Sequence, residues 1–132
     1  MRVCSAILVL ALFAAGCSED VARPDIAAQP KEDLYGAAIK MQLYEFRAKV
    51  RKRGAAAAKQ ELPALLENLQ GFEKQPLGTH KETYQQIMDK LKALQTAVAG
   101  SATKDSAITA ANEIGTLADK LPGKANENPV VE

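Results

Sequence analysis

His80 is the only histidine in the chain, so any imidazole-based proton transfer or metal ligation would fall to it. A zinc or copper site draws on three or four nitrogen, sulfur or carboxylate ligands, and one histidine is a poor start for one. His80 follows Thr79 at the opening of a helical pattern, so it is expected as a solvated first-turn residue. Glu61 with Glu67, or Glu82 with Asp89, could act as paired carboxylates. Beside Lys90 and Lys92, such carboxylates read instead as ordinary ion pairs along a helix surface. A di-iron bundle would need Glu-x-x-His, which the sequence lacks. No Gly-x-Ser-x-Gly, His-Glu-x-x-His or phosphate-loop pattern occurs. A haem bundle needs Cys-x-x-Cys-His, or a methionine and a histidine on different helices facing one another. Met88 and His80 share a helix, the last helix has no histidine, and Met41 and Met88 read as core fillers. No catalytic residue, metal ligand or cofactor is expected.

The densest charge in the chain is cationic. Arg47, Lys49, Arg51, Lys52 and Arg53 place five cations within seven residues. Cations at the end of a helix balance the negative pole of its dipole. The functional reading is a contact with an anionic surface: lipid headgroups, lipopolysaccharide phosphates or an acidic partner. Across the whole chain 17 basic residues meet 16 acidic ones, a formal net charge of +1. A near-neutral balance offers no field to draw the protein onto nucleic acid.

These side chains must be positioned by helices. Alanine and leucine, the strongest helix formers, dominate, and tryptophan is absent. The first helix is expected over Lys31 to Arg53, after Pro30 and ending at Gly54. Tyr35, Ile39, Leu43, Phe46 and Val50 form one apolar stripe in it. Leu34, Ala38, Met41, Tyr44 and Ala48 form a second, which predicts contact with two neighbours. A second helix starts within 55–58 and runs to about Phe72, with a kink expected at Pro63. Thr79 and Glu82 have the spacing of a capping box opening a third helix, whose stripe is Tyr84, Ile87, Met88, Leu91, Leu94 and Val98. Gly100 ends it. A fourth helix starts between Ser101 and Asp105, lines its inner face with Ile108, Ala111, Ile114, Leu117, Ala118 and Leu121, and stops at Pro122-Gly123. Four amphipathic helices joined by short loops predict an all-α fold, an antiparallel up-down-up-down four-helix bundle over residues 31–121, with a flexible tail over 122–132.

The N-terminus has a different grammar. Met1-Arg2 is a minimal positive start, and an apolar run from Val3 to Ala15, broken only by Cys4 and Ser5, follows. That run is shorter than the ~20 apolar residues a membrane-spanning helix needs, and it fits a secretory signal peptide over residues 1–16. Phe13-Ala14-Ala15-Gly16-Cys17 then resembles the lipobox of bacterial lipoproteins, in which small residues precede an invariant cysteine. The resemblance covers the first 17 residues only, and it departs from the pattern in having Ala14 where leucine is commonest. It implies cleavage before Cys17, a diacylglyceryl thioether on its sulfur and acylation of its new amino group. Ser18 in place of aspartate implies sorting to the outer membrane, facing the periplasm, rather than retention at the inner one. With Cys4 removed and Cys17 acylated, the mature chain has no thiol for disulfide, metal or catalysis. Residues 17–30, with two prolines and no apolar period, read as the lipidated cysteine and a flexible tether.

The sequence therefore leads to a lipid-anchored envelope protein whose bundle is non-catalytic and serves interaction with an envelope protein partner or a structural role. The alternative is a carrier holding a small ligand or cofactor between its helices.

Overall fold

The computed structural model describes residues 30–123, and they form four helices. These are α1 (Lys31–Arg53), α2 (Ala55–Gln70), α3 (Lys81–Ala99) and α4 (Lys104–Ala118), with a 3₁₀ turn at Gly78–His80 before α3. Among the described residues there is no strand. The predicted signal peptide, Cys17 and most of the tether lie outside the described residues, as does the chain beyond Gly123.

The helices make an antiparallel four-helix bundle. Each packs on its neighbours in sequence, and α4 closes the ring against α1. The α1–α4 direction follows from three contacts: Arg51 meets Asn112, Tyr44 meets Asp119, and Lys40 meets Leu121, so numbers fall along α1 as they rise along α4. Ile39, Leu43, Leu62, Leu69, Ile87, Leu91 and Ile114 are fully buried along the axis. Burial of each such side chain contributes roughly 1.5–3 kcal/mol, which is what holds four helices with few long-range polar contacts together.

α1 and α2 are separated by one residue. Gly54 takes φ +70°, a region open to glycine at little cost, and its N–H caps the Val50 carbonyl. The start of α4 sits directly on this turn, because a Cβ at Gly54 would meet the Lys104 stem at 2.7 Å. α2 runs unbroken through Pro63, which is exposed, so the Lys59 carbonyl that loses its N–H partner can be met by water. α2 ends two residues before Phe72, whose ring instead packs edge-on to Tyr35 of α1, centroids 6.0 Å apart.

Two sequence expectations need correction. The Thr79–Glu82 capping box does not form: Thr79 lies inside the 3₁₀ turn, α3 begins at Lys81, and no side chain caps it. The side-chain cap is instead at Thr103, whose Oγ1 accepts from the Ser106 N–H at 3.2 Å. The second is the extent of α1's second apolar stripe: α1 meets two neighbours as expected, α2 and α4, but only part of that stripe is covered. Tyr44 is buried against α4, but Met41 is 62% exposed and Ala48 is exposed. Of the two methionines read as core fillers, only Met88 is one. α4 and the turn that follows it approach α1 closely through small residues, since a Cβ at Gly36 would collide with Pro122 and one at Gly115 with Arg47. α1 thus packs on both α2 and α4, with Met41 and Ala48 left outside those contacts.

Candidate functional site

The five clustered cations of α1 are divided by the fold into two groups. Arg47 is half-buried: its guanidinium lies over the Tyr44 ring, 4.7 Å from the centroid, and against Gly115 of α4. Such stacking is worth about 0.5–1 kcal/mol and fixes the side chain in the helix interface. Lys49 is held between Glu45 of its own helix and Glu61 of α2, 3.0 Å from each. Those two bonds, Glu61's first, raise its pKa above the ordinary lysine value. Both cations are thus engaged within the bundle, Arg47 by an aromatic face and Lys49 by two carboxylates.

Arg51, Lys52 and Arg53 are exposed. Arg51 donates to Asn112 Oδ1 at 2.9 Å and Arg53 to Gln60 Oε1 at 3.0 Å. Both acceptors are neutral amides, so the positive charges are oriented but not cancelled. Lys52 makes no hydrogen bond or ion pair among the described residues. Arg51 and Lys52 border a shallow surface depression floored by Ala48 and edged by Tyr44 and Arg47.

The opposite end of the bundle gathers groups that the sequence leaves scattered. His80 Nε2 lies 2.9 Å from Asp33 Oδ1, joining the 3₁₀ turn to the first turn of α1. Its side chain is only 19% exposed, so it is not the solvated residue the sequence suggests. The Glu32 carboxylate rests against Gly78 in the same place, where a Cβ would collide with it. Lys40 is 7% exposed and donates to the carbonyls of Leu121 and Gly123, both at 3.0 Å. One turn on, the Tyr44 hydroxyl donates to Asp119. Burial, and then that hydrogen bond, push the Tyr44 pKa above the ordinary phenol value, with Arg47 opposing. Pro122 and Gly123, read from sequence as the beginning of a flexible tail, are thus held on α1.

Sequence reasoning missed the Lys40–Tyr44–Asp119 fastening. The only available signal was a lysine at an otherwise core-facing position of α1, three residues before the buried Leu43.

Other concavities carry less chemistry. A cleft of ~360 Å³ between the end of α2, the 71–77 loop and α3 is lined by side chains such as Gln70, Gln85, Lys92 and Asp89, with Tyr84 and Met88 at its floor. The Tyr84 hydroxyl donates to the Leu69 carbonyl at 2.7 Å, and burial, then Glu73, raise its pKa. Among the described residues no three histidine, cysteine or acidic side chains group as a metal site would. Among the same residues no helix is long and apolar enough to cross a membrane.

Comparison of the chain with family models, with curated proteins and with solved structures gives no match. The functional reading accordingly rests on the residues themselves.

Proposed function

We propose that this chain is an exported lipoprotein held at a membrane by lipid on Cys17. Its helical bundle is a non-catalytic module for interaction with an envelope protein partner or for a structural role. The location proposed is the periplasmic face of the outer membrane, from the lipobox-like Phe13–Cys17 and from Ser18 after the cysteine.

One observation carries the non-catalytic reading: the side chains best suited to chemistry are used as fasteners between elements. His80 is on Asp33, Tyr44 on Asp119, Lys40 on the Leu121 and Gly123 carbonyls, and Tyr84 on the Leu69 carbonyl. A catalytic group needs a free face toward a substrate, in reach of a second group. The carrier alternative draws less support, because Leu43, Leu62, Ile87 and Ile114 fill the bundle axis where an interhelical ligand would lie.

The test is the mass of the N-terminal peptide of the mature protein taken from native membranes. A peptide beginning at Cys17 with two ester-linked acyl chains and a third on its nitrogen is the expected result. A bare or absent Cys17 overturns the anchor. Cys17→Ser is expected to move the protein from the membrane to the soluble fraction, and cross-linking in the intact envelope then identifies what the bundle touches.

A further inference from the structure

The outer face of α1 carries apolar side chains that the rest of the bundle covers only in part. Residues in an α-helix advance 3.6 to a turn, so Leu34, Ala38, Met41 and Ala48 share a stripe roughly opposite the buried Leu43 and Val50. Leu34 and Ala38 are half-buried, Ala48 is exposed, and Met41 is the one exposed large hydrophobic among the described residues. The charges around this stripe are biased. Lys31 stands at one end, and Arg51 and Lys52 at the other, all exposed. The single carboxylate within the stripe, Glu45, shares Lys49 with Glu61, each at 3.0 Å.

We infer that this face of α1 docks flat on an anionic phospholipid bilayer. The inference rests on the reading of Cys17 as the anchor, and it adds an orientation to that reading. Thirteen residues separate Cys17 from Lys31, a reach of ~40 Å at roughly 3.3 Å per residue when extended. α1 has 23 residues, or about 34 Å at ~1.5 Å each. If the bundle stood upright on its anchor, Arg51 to Arg53 would lie about 30 Å farther from the bilayer, several screening lengths of ~8 Å away. Lying down, the same tether lets α1 rest along the surface, with Arg51, Lys52 and Lys31 at headgroup level and Met41 and the alanines at the acyl boundary. One methionine and small side chains bind weakly alone. On a chain already anchored at the surface the contact is intramolecular in effect, and weak binding suffices. A second copy of the chain fits this face less well. Parallel pairing would set Lys52 against Lys52, and antiparallel pairing would bring Lys52 close to Lys31, like charges in either case.

The two methionines of the mature chain supply the test. The chain from Cys17 is coupled through that thiol to a maleimide-headgroup lipid, in vesicles of neutral phosphatidylcholine or of phosphatidylcholine with phosphatidylglycerol. Hydrogen peroxide oxidation of Met41 is then followed by mass spectrometry, with buried Met88 as the internal reference. Docking is expected to slow Met41 oxidation by roughly threefold or more on the anionic vesicles, and Arg51→Ser with Lys52→Ser to remove the protection. Equal rates on both vesicles, or protection that survives the double substitution, overturn the proposal. Protection in free solution that grows with protein concentration would also overturn it, in favour of self-association. Because the coupled lipid supplies the anchor, failure here is distinct from failure to find acylated Cys17 in native membranes.

Discussion

The ammonium of Lys40, near the middle of α1, donates to two backbone carbonyls beyond the end of α4, Leu121 and Gly123, each at 3.0 Å. A lysine this buried would be costly without partners, and here it takes up two carbonyls of the turn that follows α4. It converts the chain after α4 into part of the bundle, and it fixes where Pro122 lies on Gly36.

Lys40→Met keeps the length of the side chain and removes both bonds. Charged hydrogen bonds of this kind contribute about 1.5–3 kcal/mol each at most, and the freed carbonyls can turn to water. A loss of about 2 kcal/mol is expected, read as a lower urea midpoint with unchanged slope by far-ultraviolet circular dichroism. Hydrogen exchange of the Leu121 and Gly123 amides should accelerate more than that of α3. Exchange that rises uniformly would show that the lysine does not pin this segment.

Gly36 and Gly115 make a contrasting pair. A Cβ at Gly36 would stand 2.6 Å from Pro122 Cδ, in a ring held by its neighbours' bonds to Lys40. Gly36→Ala is therefore expected to cost about 1–2 kcal/mol, overpacking outweighing the ~1 kcal/mol that alanine gains over glycine in a helix. A Cβ at Gly115 meets the long Arg47 side chain, which can swing away. Gly115→Ala is expected to change stability by less than ~0.5 kcal/mol, helix propensity offsetting the lost contact of Arg47 with Tyr44. Thermal midpoints of the two variants should fall on opposite sides of a clear gap.

Alkaline pH should loosen the bundle. Tyr44, Tyr84 and Lys49 all have folded-state pKa values above their ordinary ones of about 10 to 10.5. A group that holds its proton more tightly when folded stabilises the fold below its unfolded pKa, and that stability is lost as pH rises through the folded value. Urea midpoints are thus expected to be flat with respect to these groups up to about pH 9 and to fall above pH 10. Tyr44→Phe with Tyr84→Phe should flatten the fall without abolishing it, because Lys49 titrates in the same window. An unchanged profile in the double variant would show that the two hydroxyls do not carry the effect.

The two threonines near helix starts separate a true cap from an apparent one. Thr103→Ala removes the acceptor for the Ser106 amide and should cost about 1 kcal/mol. Thr79→Ala removes a side chain that caps nothing and should stay within ~0.5 kcal/mol of the parent. Chemical denaturation of the two variants side by side checks both expectations.

The sequence by itself determined the number of helices, their approximate limits and the all-α class. Those depend on local matters: alanine and leucine content, three- and four-residue apolar spacing, and punctuation by Gly54, Gly100 and Pro122. It also supplied Cys17 and the cationic stretch as candidate sites, since both are contiguous runs. Only the tertiary structure decided which of the two apolar stripes of α1 enters the core, leaving Met41 outside. It alone spent Arg47 and Lys49 on neighbouring helices and left Arg51 to Arg53 facing out. It also joined His80 to Asp33 across 47 residues of chain. The reason is that periodicity describes one helix about its own axis. Which side is buried, and which charge finds a partner, depends on how closely the neighbouring helices approach. Between α1 and α4 the close approach passes through Gly36, Gly115 and Pro122, residues far apart along the chain.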